Sequence, residues 1–283
     1  MKVKVILSDY DGTLCPTESV TARKDENRIP PALGHILRQV ALEIPVCIVS
    51  SKDLDFLSET IQFSTVLSCI MGIETVLIKD NGSLSSRMGG QKFKRTLSAD
   101  KSVLVRNSEG VERIAVNIKS EPDFQGIAVD KKHTSDGLVA GITIDWRNLN
   151  KWQERKRAVE HTVSAAIAGL QRLPSPANLF VQKYSEHPFI DVYAVECSKG
   201  RAFDTVISEL SELGIGPDNV LYLGDSENDN PAFRKAGVSI GIRSDRRINP
   251  KLDCTHYLAF DRLAAFLARL KENKFDFSSS LLG

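Results

Sequence analysis

The sequence predicts an α/β protein, a Rossmann-like sheet of parallel strands interrupted by an inserted α/β segment. Three observations carry this. Short apolar runs alternate with amphipathic stretches over residues 1–82 and again over 193–283, the pattern of parallel strands joined by crossover helices. Between them, 83–192 reads as alternating apolar and polar segments followed by one long helical stripe, as in antiparallel strands with one solvated face. Finally, the apolar strands end in acids, hydroxyls and glycines, first in Val5-Ile6-Leu7-Ser8-Asp9-Tyr10-Asp11-Gly12. A chain of 283 residues, 42% apolar and 26% charged, is long enough for about two domains with cores of their own.

The first strand spans 3–8, with Val3, Val5, Ile6 and Leu7 as its apolar residues. A polar loop over 17–27 precedes a helix opened by Pro30-Pro31 and continued by Leu33, Ile36, Leu37 and Val40 at helical spacing. Strand 45–49, helix 53–62 and a short strand at 75–78 follow. In the insertion, 102–105, 114–118 and 141–146 are expected as antiparallel strands. A long helix then starts near Asn150, with Gln153 as a capping partner, and carries Trp152, Val159, Val163, Ile167 and Leu170 until Pro174 and Pro176 end it. Trp152 in that stripe is assigned to core packing. After Lys199 come helix 202–213 with Gly214 just beyond it, strand 220–223, helix 229–236, strand 238–240 and helix 258–271. Ser278-Ser279-Ser280 is expected to fray.

The formal net charge of +1 gives no reason to expect a nucleic-acid or membrane partner. It conceals an asymmetry: residues 83–192 hold 17 of the 37 basic and 12 of the 36 acidic residues, net +5, which leaves −4 for the remainder. A basic module beside an acidic one fits ordinary surface variation, and it also fits an anionic substrate drawn toward carboxylates that need a cation. The five cysteines are odd in number and scattered with no C-x-x-C, so neither a disulfide framework nor a zinc site is expected and a reducing compartment fits best. Met1-Lys2-Val3-Lys4 leads into a strand without an apolar leader, and no apolar stretch reaches membrane-spanning length, so the expectation is a cytoplasmic protein. Asn81-Gly82-Ser83 is read as a tight turn. Oligomeric state is left open, a monomer being compatible. Neither G-x-x-x-x-G-K-[ST] nor a G-x-G-x-x-G after a strand occurs, which sets aside P-loop kinase and dinucleotide-enzyme chemistry.

Parallel strands finish on one side of their sheet, where ligands bind. The first strand delivers Asp9 and Asp11 to that edge, the second Ser50 and Ser51, and the strand at 220–223 delivers Gly224-Asp225-Ser226-Glu227-Asn228-Asp229; Lys199-Gly200 opens a helix beside them. Two acids one residue apart repel unless a cation or a shared proton relieves them. An oxygen-rich cluster suits Mg2+, which takes one or two carboxylates together with substrate phosphate. Asp9 can then attack phosphorus while Asp11 protonates the leaving alcohol and later deprotonates water. Lys199, the Ser50 hydroxyl and the amides of the Gly12 turn would stabilise charge on the transferring group.

In this order, Asp9-Tyr10-Asp11-Gly12-Thr13-Leu14, Ser50, Lys199-Gly200 and Gly224-Asp225-Ser226-Glu227-Asn228-Asp229 resemble the four motifs of the haloacid-dehalogenase-like superfamily. The resemblance implies Asp9 as nucleophile and Asp11 as acid/base, with Ser50 and Lys199 completing the catalytic set. It implies a magnesium site of Asp9, Asp11 (through its backbone carbonyl) and Asp225, supported by Asp229 and Asn228, and phosphate contacts from Gly12, Ser50, Ser51, Lys199 and Asn228. Residues 1–82 and 193–283 would form the catalytic core of that fold, and 83–192, between the second and third motifs, is similar to the family's type C2 cap. Within the superfamily the chain looks like the trehalose-6-phosphate phosphatases and related sugar-phosphatases, which share the DYDGTL form and a cap segment similar to Val129-Asp130-Lys131-Lys132 followed by Ile142-Thr143-Ile144-Asp145-Trp146-Arg147. It departs from them at Asp145, where a histidine is common, and at Ser51-Lys52, where Gly-Arg is usual.

Substrate contacts in the cap are expected from Lys131, Lys132, Arg147 and Lys183, which could grip an anionic group, and from Asp191, which could accept bonds from sugar hydroxyls. His133 and His187 are read as loop residues, and Cys15 as a small filler. The implied function is Mg2+-dependent hydrolysis of a small phosphorylated metabolite, a sugar phosphate of the trehalose-6-phosphate kind, through an aspartyl-phosphate. The alternatives are a phosphomutase similar to the phosphomannomutases and a polyanion-binding protein without catalysis.

Overall fold

The computed structural model describes residues 1–16, 28–78, 93–147, 149, 151–171, 178–184, 188–243 and 251–283. The expected loop at 17–27, the Asn81-Gly82-Ser83 turn, Asn150, Pro174, Pro176 and His187 lie outside these residues, as does the side chain of Trp152. In chain order the elements are β1 (Val5–Ser8), α1 (Pro31–Ala41), β2 (Val46–Val49), α2 (Leu54–Thr60), β3 (Val66–Cys69), β4 (Glu74–Ile78), β5 (Phe93–Leu97), α3 (Lys101–Ser120), β6 (Ala128–His133) and β7 (Val139–Asp145). Then come α4 (Trp152–Gln171), β8 (Phe180–Lys183), β9 (Phe189–Tyr193), α5 (Lys199–Glu209), β10 (Val220–Gly224), α6 (Asn230–Phe233), β11 (Val238–Arg243), β12 (His256–Ala259) and α7 (Leu263–Glu272).

Two compact units result, Met1–Thr96 with Ser198–Gly283, and Leu97–Cys197; the sequence reading drew its boundaries at 83 and 192. In the first unit an eight-stranded sheet runs β12-β11-β10-β1-β2-β3-β4-β5. From β12 to β3 all pairings are parallel, and β4 turns back antiparallel on β3. A parallel strand is covered on both faces and reads as a continuous apolar run, which is why β1, β2 and β10 are wholly buried. One face of the sheet, with Val5, Leu7, Cys47, Val49 and Tyr222, packs on Phe203 and Val206 of α5 and Phe233 of α6. Amphipathic α1 (Leu33, Ile36, Leu37, Val40) pairs with α7 (Leu263, Phe266, Leu267, Leu270). Each fully buried side chain of this kind contributes about 1.5–3 kcal/mol relative to exposure.

The sheet's register sets the active edge. Ser8 lies opposite Leu223 on one side and Ile48 on the other, and the Asp9 amide donates to the Leu223 carbonyl at 2.9 Å. The chain order therefore steps off in both directions from β1, the switch point at which α/β proteins bind ligands, with the ends of β2 and β10 on either hand.

In the second unit β6-β7-β9-β8 form an antiparallel sheet and α3 packs along β7. Here the sequence reading is corrected: 102–105 and 114–118 are not strands but parts of α3. The buried residues Leu104, Val111, Ile114, Ala115 and Ile118 recur at helical spacing, a period that windows of four or five residues cannot display. At the C-terminal end, 256–259 is a strand and the helix begins only at Leu263. The serine run does not fray either: the Phe277 amide bonds the Met1 carbonyl at 2.8 Å, its ring meets His256 and Phe266, and Ser279–Leu282 closes a 3-10 turn. Among the described residues no helix is long and apolar enough to cross a membrane.

Candidate active site

Each functional group arrives at the sheet edge for a local reason. β1 ends at Ser8, and Asp9 follows with 5% exposure. The chain then reverses over Tyr10–Cys15, the Leu14 amide bonding the Tyr10 carbonyl at 2.9 Å and the Gly12 amide the Cys15 carbonyl at 2.7 Å. Gly12 has φ +76°, and a Cβ on it would lie 2.0 Å from an Asp225 carboxylate oxygen. The glycine is required both by its left-handed backbone and by the carboxylate seated against it. A Gly12→Ala chain, with Asp225 displaced, should lose about a hundredfold in activity, since misplacement of a reacting group by about 1 Å has that effect; activity within threefold of the parent, at equal metal concentration, would contradict this placement.

Ser50, fully buried after β2, accepts a bond from the Lys52 amide at 3.2 Å through its hydroxyl. Ser51 is half-buried beside it. Ser198 caps α5, its hydroxyl accepting from the Arg201 amide, so that Lys199 becomes the first residue of the helix with 2% exposure. A cation at a helix N-terminus is disfavoured by the helix dipole, and two carboxylates offset that cost: Lys199 Nζ lies 2.9 Å from Asp9 Oδ2 and 2.8 Å from Asp229 Oδ1. Burial alone would lower the Lys199 ammonium, yet Asp229 and Asp9 push it above its ordinary range, so it stays charged.

Asp229 is fully buried and saturated. Its Oδ1 accepts from Lys199 and, at 2.8 Å, from the Tyr222 hydroxyl, and its Oδ2 from the amides of Asp225 and Ser226 and the Ser226 hydroxyl. Thus it shapes the loop after β10 and aims Asp225 at Asp9. Thr13 Oγ1 donates to Asp225 Oδ1 at 3.4 Å. Asn228 is half-buried in the same loop. The Asp11 carboxylate is not one of the three clustered acids, and its Oδ2 lies 3.5 Å from Lys52 Nζ.

Carboxylate oxygens of Asp9, Asp225 and Asp229 lie within 4.8 Å of one another. Burial pushes Asp9 up from 3.8 to about 7; Lys199 opposes the shift, while Asp229 and Asp11 add to it. Asp225 is likewise pushed well above the usual carboxylate range by burial, then by Asp9 and Asp229, against Lys199. Three crowded acids with a single lysine among them are short of positive charge, and their donors are all oxygen. That set fits a hard divalent cation. The sign of the linkage follows. An acid raised on folding stabilises the metal-free protein below about pH 3.8, and that contribution is lost as pH rises through about 7. Added Mg2+ should therefore raise Tm more at pH 8 than at pH 5, as thermal denaturation would read; an equal rise at both would count against a carboxylate site.

In the second unit the residues expected to meet substrate separate. Lys132 and Asp191 are both buried and paired at 3.4 Å; Asp191 also accepts from the hydroxyls of Thr143, Tyr184 (2.6 Å) and Tyr193 (3.2 Å). Lys131 and Lys183 fall on the opposite face by register, beside Ile142 and Ile190, and Lys131 lies 3.5 Å from Glu112 of α3. Arg147 pairs with Asp145 at 2.6 Å and lies over the Phe189 ring. Tyr222 and Lys52 are site residues to which the sequence reading gave no role, and Thr13, expected only to help the backbone turn, also contacts Asp225 through its hydroxyl. Tyr222 passes for core in an apolar strand, although a hydroxyl buried that deeply needs a partner.

A cation-competent acid cluster, with a buried lysine, at the switch point of a parallel sheet defines an α/β enzyme site. The chain belongs to the haloacid dehalogenase-like hydrolase family, whose model matches residues 6–247, as the four motifs implied. Its fold is similar to the crystal structure of a trehalose-6-phosphate phosphatase related protein (TM-score 0.64, 16% identity, 95% of this chain and 98% of that one). It is also similar to the C-terminal domain of trehalose-6-phosphate phosphatase from C. albicans (TM-score 0.65, 15% identity, 96% and 92%). A curated phosphoglycolate phosphatase of Halorubrum lacusprofundi is 32% identical over 94 residues, 33% of this chain; the match spans 39% of that relative's length.

Proposed function

We propose that the protein is a Mg2+-dependent phosphatase of a small phosphate monoester, a sugar phosphate, working through an aspartyl-phosphate on Asp9. The observation that carries this reading is the convergence of Asp9, Lys199, Asp225 and Asp229 at one strand edge, with Lys199 bridging Asp9 and Asp229 at 2.9 and 2.8 Å. Family membership and the phosphatases among its relatives support it.

Asp9, Asp225 and the Asp11 carbonyl would hold the cation, with Asp229 behind them. The bound ion supplies charge neutralisation, letting Asp9 stay ionised and a phosphate dianion approach. Asp9 Oδ forms a bond to phosphorus as the ester P–O bond breaks; the ester oxygen keeps that electron pair and takes a proton from the Asp11 carboxyl. The Asp11 carboxylate then removes a proton from water, whose oxygen attacks phosphorus, and inorganic phosphate leaves as Asp9 is restored. Lys199 and Ser50 stabilise the charge on the transferring oxygens.

A panel of sugar phosphates and phosphoglycolate tests the substrate class. Phosphate release from one or more sugar phosphates, dependent on Mg2+ and lost on chelation, is the expected result. Release from none of them, or phosphate merely moved between positions of one sugar, would contradict it.

A further inference from the structure

Lys52 sits at the site without belonging to the acid cluster, and its surroundings fix where its charge goes. Its backbone is pinned at both ends of the turn after β2. The Ser50 hydroxyl takes its amide at 3.2 Å, while the Ile70 amide bonds the Lys52 carbonyl at 2.8 Å and the Met71 amide bonds the Ser50 carbonyl at 2.9 Å. Both of those donors have left-handed backbone, Ile70 at φ 51° and Met71 at φ 57°, a conformation that costs free energy and is most costly for a β-branched residue. The side chain then runs over Phe56, with Nζ 5.0 Å from the ring centroid, and Phe56 itself stands edge-on to Tyr10 at 5.5 Å. Thus braced, Nζ reaches Asp11 Oδ2 at 3.5 Å. The other oxygen, Asp11 Oδ1, is buried and has no hydrogen-bond partner among the described residues.

We infer that Lys52 is a positioning residue for Asp11, gripping Oδ2 so that Oδ1 is presented as the atom that carries the proton. Both side chains are about a quarter exposed, and an ion pair of that kind adds little to stability, so its effect belongs on the reaction. The inference rests on the reading of Asp11 as general acid. In that step the proton on Asp11 passes to the ester oxygen as the P–O bond breaks, leaving the Asp11 carboxylate facing the Lys52 ammonium. An ester whose leaving group is a good one needs that proton least.

The test compares kcat/KM, which reports formation of the aspartyl-phosphate, for phenyl phosphate and p-nitrophenyl phosphate in Mg2+ buffer. The two differ mainly in leaving-group basicity. Lys52→Met should lose about tenfold on phenyl phosphate and less than about threefold on the nitrophenyl ester, part of the roughly 10²–10⁴-fold that general acids supply. Lys52→Arg should recover the phenyl phosphate rate, and Lys52→Gln serves should the methionine variant fold poorly. Equal losses on both esters, or no recovery by arginine, would overturn the inference. Asp11→Asn separates the two levels. If it shows the leaving-group dependence and the Lys52 variants do not, the positioning role alone fails; if it shows none, the reading of Asp11 as acid fails with it.

Discussion

Asp9→Asn should lower phosphate release by at least about 10⁴-fold, the scale on which enzymes lose turnover when a covalent nucleophile is removed, while leaving the fold intact. The second half of that expectation comes from the site's own electrostatics. Asp9 is a buried acid pushed up to about 7, burial being the largest cause, so replacing its charge with an amide removes a folding penalty at neutral pH. Lys199 keeps Asp229 as its partner at 2.8 Å. In thermal denaturation the metal-free variant should melt at or above the parent temperature at pH 8. A dead enzyme that also unfolds early would point to scaffolding instead of chemistry.

The reverse holds at Asp229, where the largest effect is on stability. Asp229→Ala leaves the Lys199 ammonium, the Tyr222 hydroxyl, the amides of Asp225 and Ser226 and the Ser226 hydroxyl without their shared acceptor, in a position with no solvent exposure. Removing one partner of a buried ion pair costs about 3–5 kcal/mol, and each stranded donor adds a desolvation penalty. Urea denaturation of the metal-free variant should show a loss of at least about 3 kcal/mol on that basis. A loss below about 1 kcal/mol, the range of surface ion pairs, would mean that Asp229 is not the keystone of the loop after β10.

The parallel core was legible because its strands are short, wholly apolar and followed at once by polar residues: β1, β2 and β10 could be placed, and with them the edge where Asp9, Ser50 and Asp225 meet. Lys199 was legible from the glycine after it and its place at the opening of a helix. The helix α3 was not, because the short apolar, β-branched run Val103-Leu104-Val105 passes for a strand in a window of four residues even though the buried set from Leu104 to Ile118 follows a helical period. β12 merges with the following helix in the linear pattern because only Asp261-Arg262 separates the apolar Tyr257-Leu258-Ala259-Phe260 from Leu263, with no glycine or proline where the backbone changes. Interactions across the sheet edge were invisible for a different reason. The bond from Tyr222 to Asp229, the contact of Thr13 with Asp225 and the approach of Lys52 to Asp11 are set by strand register and rotamer, which a linear spacing does not encode. The same applies to Lys131 and Lys132, adjacent in sequence and on opposite faces of β6.

The central claim is that phosphate passes through Asp9, and one measurement addresses it directly. Asp11→Asn is mixed with p-nitrophenyl phosphate and Mg2+, quenched in acid and digested, and the peptide containing Asp9 is weighed by mass spectrometry. The nitrophenolate leaves without needing the acid, whereas hydrolysis of the adduct lacks its base, so a phosphoryl group should accumulate on Asp9. No adduct on that peptide after nitrophenol has been released, or an adduct at another residue, would contradict the account.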